Sequence, residues 1–317
     1  ATVTGHGRLI GRPFTPYRDV FLKKGVHYTD SEGKLPITVS GKLSPGEYVL
    51  PGDVSSQFIS GLLFVLPLLE SSSRLIIQGR MESSPYIFMT IRVLKEFGID
   101  IGADAGKQSF SIAGGQKYKP VKNYIIEGDW SQAAFFCVMG ALSGNIAVEG
   151  LKIDSIQGDK VILDILEHMG ARFEFRKEGL SIKKSRLSGT DADASQCPDL
   201  VPAIAAAASV AQGMTHVRNA ARLRIKESDR LGTISRELGA LGADITEEAG
   251  GLIIHGVPSL LGGRADGSRD HRIVMALAAA SAVCKNAVII GGSEAVKKSY
   301  PGFWEDFKVL GGRIEEL

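Results

Sequence analysis

Cysteine is scarce in this sequence. Only Cys137, Cys197 and Cys284 occur among the 317 residues, and they are odd in number and widely separated. Such a set cannot form a disulfide framework, and it contains no C-x-x-C pair that would indicate a metal site. Because thiols stay reduced in the cytoplasm, the cysteine content indicates a cytoplasmic protein.

The sequence also lacks a long hydrophobic run and an excess of charge of either sign. Its longest apolar stretches, residues 58–69 and 273–284, are shorter than the ~20 residues that a membrane-spanning helix needs. The 37 Lys and Arg residues nearly balance the 35 Asp and Glu residues, which leaves a formal charge of +2. We therefore expect neither nucleic acid nor a membrane among its partners. The composition is that of an ordinary globular protein, and the length suits about two domains.

Glycine marks an internal repeat. At five places a helix-like segment is followed by a glycine and then by a short alternation of apolar and polar residues. These glycines, spaced 69 to 73 residues apart, are Gly25 (in the weakest copy), Gly98, Gly170, Gly242 and Gly311. Because glycine readily adopts the left-handed conformation that ends a helix, we predict a helix before each glycine and a strand after it.

A second repeated feature alternates with the first. An aspartate precedes a run of small apolar residues at four places, namely Asp53, Asp129, Asp199 and Asp270. An Asp, Ser or Thr at such a position predicts a helix N-cap, and the apolar run predicts a buried helix. Short β-type runs follow the four helices, at residues 74–78, 145–149, 215–218 and 287–290.

The two features together predict one repeating α/β unit. Each repeat consists of a strand, a buried helix, a strand, a second helix and a final strand pair, and the parallel strands need crossover connections. The sequence contains four helices that follow an aspartate but five that end at a glycine. This count predicts that the chain starts within a repeat, either because a leading segment is absent or because the first unit has diverged.

The segment 222–230, Arg-Leu-Arg-Ile-Lys-Glu-Ser-Asp-Arg, is the first candidate for chemistry. If it opens a helix, Lys226 and Arg230 lie on one face, where two like charges favour an anionic ligand. Glu227 lies beside them and is expected to stay ionised. Helix N-termini attract phosphate, which favours the same ligand class. The alternative is a solvated charged face with ion pairs inside the helix.

Other basic and polar residues occur at corresponding places in the repeats. Arg12 and Lys298 precede second helices, and Arg272 stands at the start of a buried helix, where it needs a carboxylate or phosphate partner. The triplet Ser55-Ser56-Gln57 starts another buried helix, although simple capping would also explain it. Together these residues predict one site for a multiply anionic ligand.

His271 allows two interpretations. It could act as a general base or metal ligand, or it could be a packed histidine. No second His or Cys lies at metal-ligand spacing, and the glycine-rich pieces match neither the P-loop nor the dinucleotide fingerprint.

Several short strings resemble one enzyme family along essentially the whole chain. The most specific are Lys-Glu-Ser-Asp-Arg at 226–230, Asp-His-Arg at 270–272 and Ser-Ser-Gln-Phe at 55–58. Further matches are at 11–13, 83–86, 127–129, 157–159, 198–199 and 298–301. The sequence resembles the 5-enolpyruvylshikimate-3-phosphate (EPSP) synthases. The UDP-N-acetylglucosamine enolpyruvyl transferases share that fold but lack these strings.

The resemblance implies a two-domain α/β fold of βαβαββ repeats, an inside-out α/β barrel. Residues 1–126 would form an incomplete first domain on the shikimate-3-phosphate side, and residues 127–317 would form the second domain with the phosphoenolpyruvate (PEP) and catalytic residues. The family works in the cytoplasm without a cofactor or metal, here as an expected monomer, and is the target of glyphosate. Since the family's amino-terminal phosphate-binding motif does not occur in this sequence, we expect this chain alone to have negligible turnover.

The resemblance also implies roles for particular residues. In the family's reaction the 5-hydroxyl of shikimate-3-phosphate attacks PEP, C3 of PEP is protonated, and phosphate is then eliminated. Asp199 would handle the hydroxyl proton and Glu227 the methylene proton, with Lys226 between the two substrates. The implied contacts to shikimate-3-phosphate are Ser55, Ser56, Gln57, Ser83, Tyr86, Asp199 and Lys226. The implied contacts to PEP are Arg12, Gln57, Arg230, His271, Arg272 and Lys298.

A function of another class stays open at this point. A non-catalytic repeat scaffold would bind a partner on one face, and charge-conserving changes at Lys226, Arg272 or Lys298 would then be harmless. An enzyme would lose the two-pronged recognition of an anion when Arg272 becomes lysine.

Overall fold

The computed structural model describes residues 1–104, 106, 108–176 and 179–317. The chain consists of two compact units. Unit 1 consists of residues 1–125 and 156–158, and unit 2 consists of residues 126–155 and 159–317. Each unit has its own hydrophobic core. No helix in the described ranges has the length and apolar content needed to cross a bilayer.

Unit 1 contains three helices and seven strands within its described residues. The helices are α1 (Thr15–Lys23), α2 (Ser56–Val65) and α3 (Ser84–Glu96). The strands are β1 (Thr2–Val3), β2 (His27–Ser31), β3 (Lys34–Ser40), β4 (Gly46–Pro51), β5 (Ser73–Gln78), β6 (Ile101–Asp104) and β7 (Ser109–Ile112). They form two sheets, in the orders β1-β3-β2 and β4-β5-β7-β6.

Unit 2 continues the same alternation of strands and helices. Its helices are α4 (Trp130–Ser143), α5 (Ile162–His168), α6 (Val201–Ala208), α7 (Arg230–Ala240), α8 (His271–Ser281) and α9 (Phe303–Val309). Its strands are β8 (Ile146–Val148), β9 (Arg172–Arg176), β10 (Gly179–Lys183), β11 (Asp191–Asp193), β12 (Met214–Arg218), β13 (Asp244–Glu248), β14 (Gly251–His255), β15 (Gly263–Asp266) and β16 (Val288–Gly291). The sheets are β8-β10-β9, β11-β12-β14-β13 and β15-β16.

The predicted repeating unit is present in both units. In unit 1 the parallel pair β4 and β5 is extended by the antiparallel strands β7 and β6. In unit 2 the parallel pair β11 and β12 is extended in the same way by β14 and β13. The order strand, helix, strand, helix, strand pair is therefore confirmed, and with it the α/β fold.

The buried helices of unit 2 form its centre. Helices α4, α6 and α8 pack against one another, and every residue of α6 is buried. The many alanines of α6 and α8 allow the three helix axes to approach closely, while the burial of their apolar side chains supplies the stabilising free energy. The prediction of buried helices after Asp129, Asp199 and Asp270 is confirmed.

The five repeat glycines end helices as predicted, but the predicted strand follows only four of them, because residues 312–317 after Gly311 form no strand. Each has a positive φ, between 73° and 97°, and each follows one of α1, α3, α5, α7 and α9. Glycine adopts this left-handed conformation without strain. The repeat is therefore recognisable in the sequence by the glycine that each helix end requires.

Two of the four predicted aspartate caps are correct. The carboxylates of Asp129 and Asp270 accept hydrogen bonds from backbone amides at the starts of α4 and α8. Helix α2 is capped by the side chain of Ser55, because it begins three residues after Asp53. Asp199 lies inside a short 3₁₀ turn before α6, and its carboxylate bonds to cationic side chains instead of capping the helix.

Candidate functional site

The candidate site residues follow the carboxyl ends of parallel strands. In unit 2, β11 and β12 are parallel, as are β15 and β16. Because the carboxyl ends of parallel neighbours lie at the same edge of a sheet, the segments that follow each pair lie close together. The candidates that follow these four strands are Asp199 after β11, Lys226, Glu227 and Arg230 after β12, His271 and Arg272 after β15, and Lys298 after β16.

Arg230 is the centre of the site in unit 2. It is the first residue of α7 and only 1% exposed, yet its guanidinium contacts three carboxylates. Its Nε donates to Asp270 Oδ2 at 2.8 Å, its Nη1 to Asp199 Oδ1 at 2.8 Å and its Nη2 to Glu227 Oε2 at 2.8 Å. A guanidinium has five N–H donors in one plane, which allows it to serve three acceptors at once.

Asp199 is held by three cations. Arg230 contacts one carboxylate oxygen, Arg272 Nη2 donates to the other at 3.1 Å, and the Lys226 ammonium lies 3.8 Å away. Burial alone would raise the pKa of the Asp199 carboxyl, but the three cations hold that pKa well below its usual range. Asp199 is therefore ionised at neutral pH. Burial lowers the pKa of Lys226, although the charge of Asp199 opposes that shift.

Glu227 lies between two cations. One of its carboxylate oxygens accepts from Arg230, and the other contacts the ammonium group of Lys298 from the segment before α9. Burial would raise the pKa of Glu227, but Arg230 and Lys298 outweigh it and hold the pKa below the usual range. The expectation that neighbouring cations keep Glu227 ionised is confirmed.

The predicted helical face with Lys226 and Arg230 is wrong. A 3₁₀ turn covers Ala221–Ile225, residues 226–229 are not helical, and α7 begins at Arg230. The helix cannot start earlier, because Asp229 has an extended backbone and caps α7 by accepting from the Gly232 amide. The two cations nevertheless meet, since both contact Asp199.

Arg224 anchors this non-helical segment to the turn between β13 and β14. Its guanidinium donates to Asp229 at 3.0 Å, to Glu247 at 2.7 Å and to the carbonyl oxygens of Glu248 and Ala249. The segment that carries Lys226 and Glu227 is thereby fixed to the sheet as well as to α7. Sequence reasoning missed this role, because three of the partners, Glu247, Glu248 and Ala249, are 23 to 25 residues away along the chain.

Asp270 is the second residue that sequence reasoning missed beyond its capping role. It has no exposed surface and contacts Arg230, Ser228 and the backbone amide of Arg272. The only sequence indication was its place directly before His271 and Arg272.

His271 is a packed residue in this structure. It is 5% exposed in the first turn of α8, and its Nδ1 has no hydrogen-bond partner among the described residues. No group of His, Cys, Asp and Glu within the described ranges could hold a metal ion. Burial, reinforced by the charge of Arg272, lowers the pKa of His271 to about 4. The histidine is therefore neutral at pH 7.

We expect His271 to make the stability of unit 2 depend on pH. In the unfolded chain a histidine takes up a proton below about pH 6.5, whereas the folded protein resists this until about pH 4. Stability is thus lost as the pH falls between these values, by about 2 kcal/mol at pH 5 relative to pH 8. Urea unfolding at both pH values should show this loss, and His271→Gln should remove it. Parallel pH curves for the two proteins would contradict the expectation.

Unit 1 places its own candidates at one edge of its sheet. Ser55, Ser56 and Gln57 lie at the start of α2 after β4, and Ser83 and Tyr86 lie at the start of α3 after β5. Because β4 and β5 are parallel, these two helix starts lie at the same edge. The expectation that capping explains part of the serine triplet is confirmed, since Ser55 Oγ accepts from the Gln57 amide.

The remaining candidate, Arg12, also belongs to unit 1. It follows the 3₁₀ turn Gly7–Gly11 and precedes α1. The structure thus assembles Asp199, Lys226, Glu227, Arg230, His271, Arg272 and Lys298 in unit 2, and it places Arg12, Ser55, Ser56, Gln57, Ser83 and Tyr86 in unit 1.

The site in unit 2 is suited to an anionic ligand that takes part in proton transfer. Four cations, Lys226, Arg230, Arg272 and Lys298, face three carboxylates. An anion that enters would compete for these cations. A carboxylate that loses a cationic neighbour has a higher pKa and can accept a proton.

Nearly the whole chain is similar to proteins of one family. The family model described as EPSP synthase (3-phosphoshikimate 1-carboxyvinyltransferase) matches residues 1–307. A 3-phosphoshikimate 1-carboxyvinyltransferase of Clostridium kluyveri is 50% identical over 315 residues, which cover 99% of this chain and 74% of that relative. The protein of the same name from Clostridium acetobutylicum is 50% identical over 313 residues, with 98% and 72% covered.

Solved structures agree with these sequence comparisons. The structure of EPSP synthase from Acinetobacter baumannii has a TM-score of 0.79 and 28% identity, and the match covers 98% of this chain and 73% of that one. The enolpyruvyl transferase NikO from Streptomyces tendae has a TM-score of 0.77 at 20% identity, with 99% and 73% covered, and so supports the fold alone.

Proposed function

The chain belongs to the EPSP synthase family, and from this premise we propose that it transfers the enolpyruvyl group of PEP to the 5-hydroxyl of shikimate-3-phosphate, a step in aromatic amino acid biosynthesis. One observation carries the proposal: two carboxylates, Asp199 and Glu227, are bound to the same buried guanidinium and surrounded by cations. The reaction needs two proton-transfer groups and the neutralisation of phosphate and carboxylate charge, and this arrangement supplies both.

The proposed reaction is an addition followed by an elimination. The 5-hydroxyl oxygen forms a bond to C2 of PEP while C3 gains a proton and the hydroxyl loses one. The C–O bond to phosphate then breaks and the new methyl group gives up a proton, so that the enol ether and inorganic phosphate are released. Protons thus move at two centres, the hydroxyl oxygen and C3.

Asp199 suits the hydroxyl proton. It is ionised, and its contacts with Arg230, Arg272 and Lys226 fix its orientation. A substrate phosphate or carboxylate that draws a cation away from Asp199 would raise its pKa and make it a stronger base. Lys226, beside Asp199, would then contact both substrates.

Glu227 suits the proton at C3. Without ligand it is paired with Arg230 and Lys298, which keep it ionised. When the phosphate and carboxylate of PEP engage these cations, the pKa of Glu227 rises and the carboxyl can hold a proton to donate. The same group would take the proton back in the elimination step.

The proposal assigns the remaining residues to substrate binding. Residues 1–126 would hold shikimate-3-phosphate through the hydroxyls and amides at the starts of α2 and α3, and residues 127–317 would contribute most contacts to PEP. The contacts proposed for shikimate-3-phosphate are Ser55, Ser56, Gln57, Ser83, Tyr86, Asp199 and Lys226. Those proposed for PEP are Arg12, Gln57, Arg230, His271, Arg272 and Lys298.

The proposed setting is a monomer in the cytoplasm. The three cysteines are free, and burial raises the pKa of the Cys137 thiol to about 12, so that its nucleophilic thiolate is not formed at neutral pH. Free thiols are typical of proteins in a reducing compartment such as the cytoplasm.

Ligand-dependent stability tests the function directly. We expect shikimate-3-phosphate at about 100 times its Kd to stabilise the chain by about 2.7 kcal/mol and so to raise its unfolding temperature. UDP-N-acetylglucosamine should have no effect. A shift with the UDP-sugar alone would mean a different acceptor, and no shift with either compound would refute the proposal. Phosphate release from PEP, measured on the chain alone and with a co-expressed amino-terminal segment of a relative, gives the activity.

Arg272→Lys separates the enzyme from the non-catalytic scaffold. The guanidinium of Arg272 can bind an anion with two parallel hydrogen bonds, which an ammonium group cannot do. We expect the variant to bind PEP more weakly by about 1.5–3 kcal/mol. A scaffold that needs only positive charge would tolerate the change.

A further inference from the structure

Asp270 does more than cap a helix. It has no exposed surface, and its two carboxylate oxygens accept four hydrogen bonds. Oδ1 accepts from the Arg272 amide at 3.1 Å and from Arg230 Nη2 at 3.3 Å. Oδ2 accepts from Ser228 Oγ at 3.0 Å and from Arg230 Nε at 2.8 Å. The carboxylate therefore joins the start of α8 to the segment before α7, about 40 residues away along the chain.

Asp129 shows what capping alone requires. It occupies the corresponding position before α4, where it is exposed and accepts from the backbone amides of Ser131 and Gln132. An asparagine or serine caps a helix about as well as aspartate does. Capping alone therefore does not require the buried negative charge of Asp270. That charge is also repelled by a second carboxylate nearby, that of Glu227.

The negative charge of Asp270 orients the guanidinium of Arg230. Asp270 binds the guanidinium edge formed by Nε and Nη2 with both of its oxygens. Because a guanidinium is planar and rigid, fixing one edge fixes the directions of the remaining N–H bonds. Those bonds reach Asp199 through Nη1 and Glu227 through Nη2.

We propose that Asp270 is a positioning residue for PEP binding: it holds the Arg230 guanidinium in the one orientation in which it meets Asp199 and Glu227 and can receive an anion. Asp270 is fully buried, so its proposed role is exerted through Arg230. The inference rests on the proposed function, because PEP is the anion concerned. It assigns to Asp270 a role that neither capping nor charge alone would explain.

Asp270→Asn tests this proposal through the sign of its effect. The variant keeps a capping side chain of the same shape and removes one negative charge. By Coulomb's law alone, that change makes the site more positive and should strengthen the binding of PEP. If Asp270 positions Arg230, the binding should instead weaken, and we expect at least a tenfold higher Kd for PEP in calorimetric titrations at saturating shikimate-3-phosphate.

The matched control is Asp129→Asn, which removes the same charge from a capping position where, among the described residues, the carboxylate accepts from backbone amides only. We expect its Kd for PEP to stay within twofold of the unsubstituted protein. Unchanged or tighter binding by Asp270→Asn would overturn the positioning role. If the unsubstituted chain binds neither substrate, the proposed function itself fails, which is a different outcome.

A second variant covers the case in which Asp270→Asn does not fold. Ser228→Ala removes one of the four hydrogen bonds to Asp270 and leaves every charge in place. We expect a two- to fivefold weaker binding of PEP, measured at a temperature at which the variant is folded. Binding equal to that of the unsubstituted protein would count against the proposal.

Discussion

Replacing Arg230 with methionine is expected to destabilise the protein by about 3–5 kcal/mol at pH 7, because it leaves buried charges without their partner. Three carboxylates share this guanidinium, and the residue is only 1% exposed. Methionine fills similar space but neutralises nothing. Urea unfolding at pH 7, followed by circular dichroism, measures the loss.

The matched control for this change is Arg236→Met in the same helix. Arg236 also pairs with a carboxylate, Glu237, at 2.7 Å, but its side chain is 63% exposed. Glu237 is buried, but it keeps a hydrogen bond from the Asp266 amide at 2.7 Å when Arg236 is replaced, so we expect a smaller loss for Arg236→Met than for Arg230→Met. The loss for Arg230→Met should also shrink as the pH falls toward 5, since the orphaned carboxylates can then take up protons. Equal losses for the two variants would show that the buried cluster does not depend on Arg230.

Glu227→Gln should lower kcat by about 10²–10⁴-fold, the usual contribution of a positioned acid or base. Glutamine has the same shape as glutamate but cannot carry the proton to and from C3 of PEP. The KM for PEP should stay the same or fall, because Arg230 and Lys298 lose a carboxylate that competes with the ligand for them. Initial rates of phosphate release, measured as the PEP concentration is varied, give both constants.

Glu174→Gln provides the control. Glu174 also accepts from an arginine, Arg176, but it lies exposed in β9 and takes no part in the proposed proton transfers or in fixing the segment that carries Glu227. We expect its kcat to stay within twofold of the unsubstituted protein. If Glu227→Gln retained full kcat, another group would have to supply the proton at C3.

The residues of segment 222–230 show where sequence reasoning succeeded and where it failed. The anion-binding character of Lys226 and Arg230 was visible in their charge, but their placement on one helical face was wrong. Asp229 caps α7, so the helix begins at Arg230 and excludes Lys226. An aspartate is compatible both with a helix cap and with a position inside a helix, so the sequence does not show which of the two it occupies. The prediction that Asp53 caps α2 was wrong for a similar reason. Ser55 directly precedes the helix, and its side chain forms the cap.

The sequence by itself determined the repeat, the order of its strands and helices, the glycines that end the second helices and the buried helices of unit 2. These features depend on the conformational preferences of neighbouring residues and on the periodicity of apolar side chains, which are local properties. Only the tertiary structure decided that Arg230 is buried among Asp199, Glu227 and Asp270. Two of these three carboxylates lie 31 and 40 residues from Arg230 along the chain, so their pairing depends on which loops the parallel strands bring to a common edge.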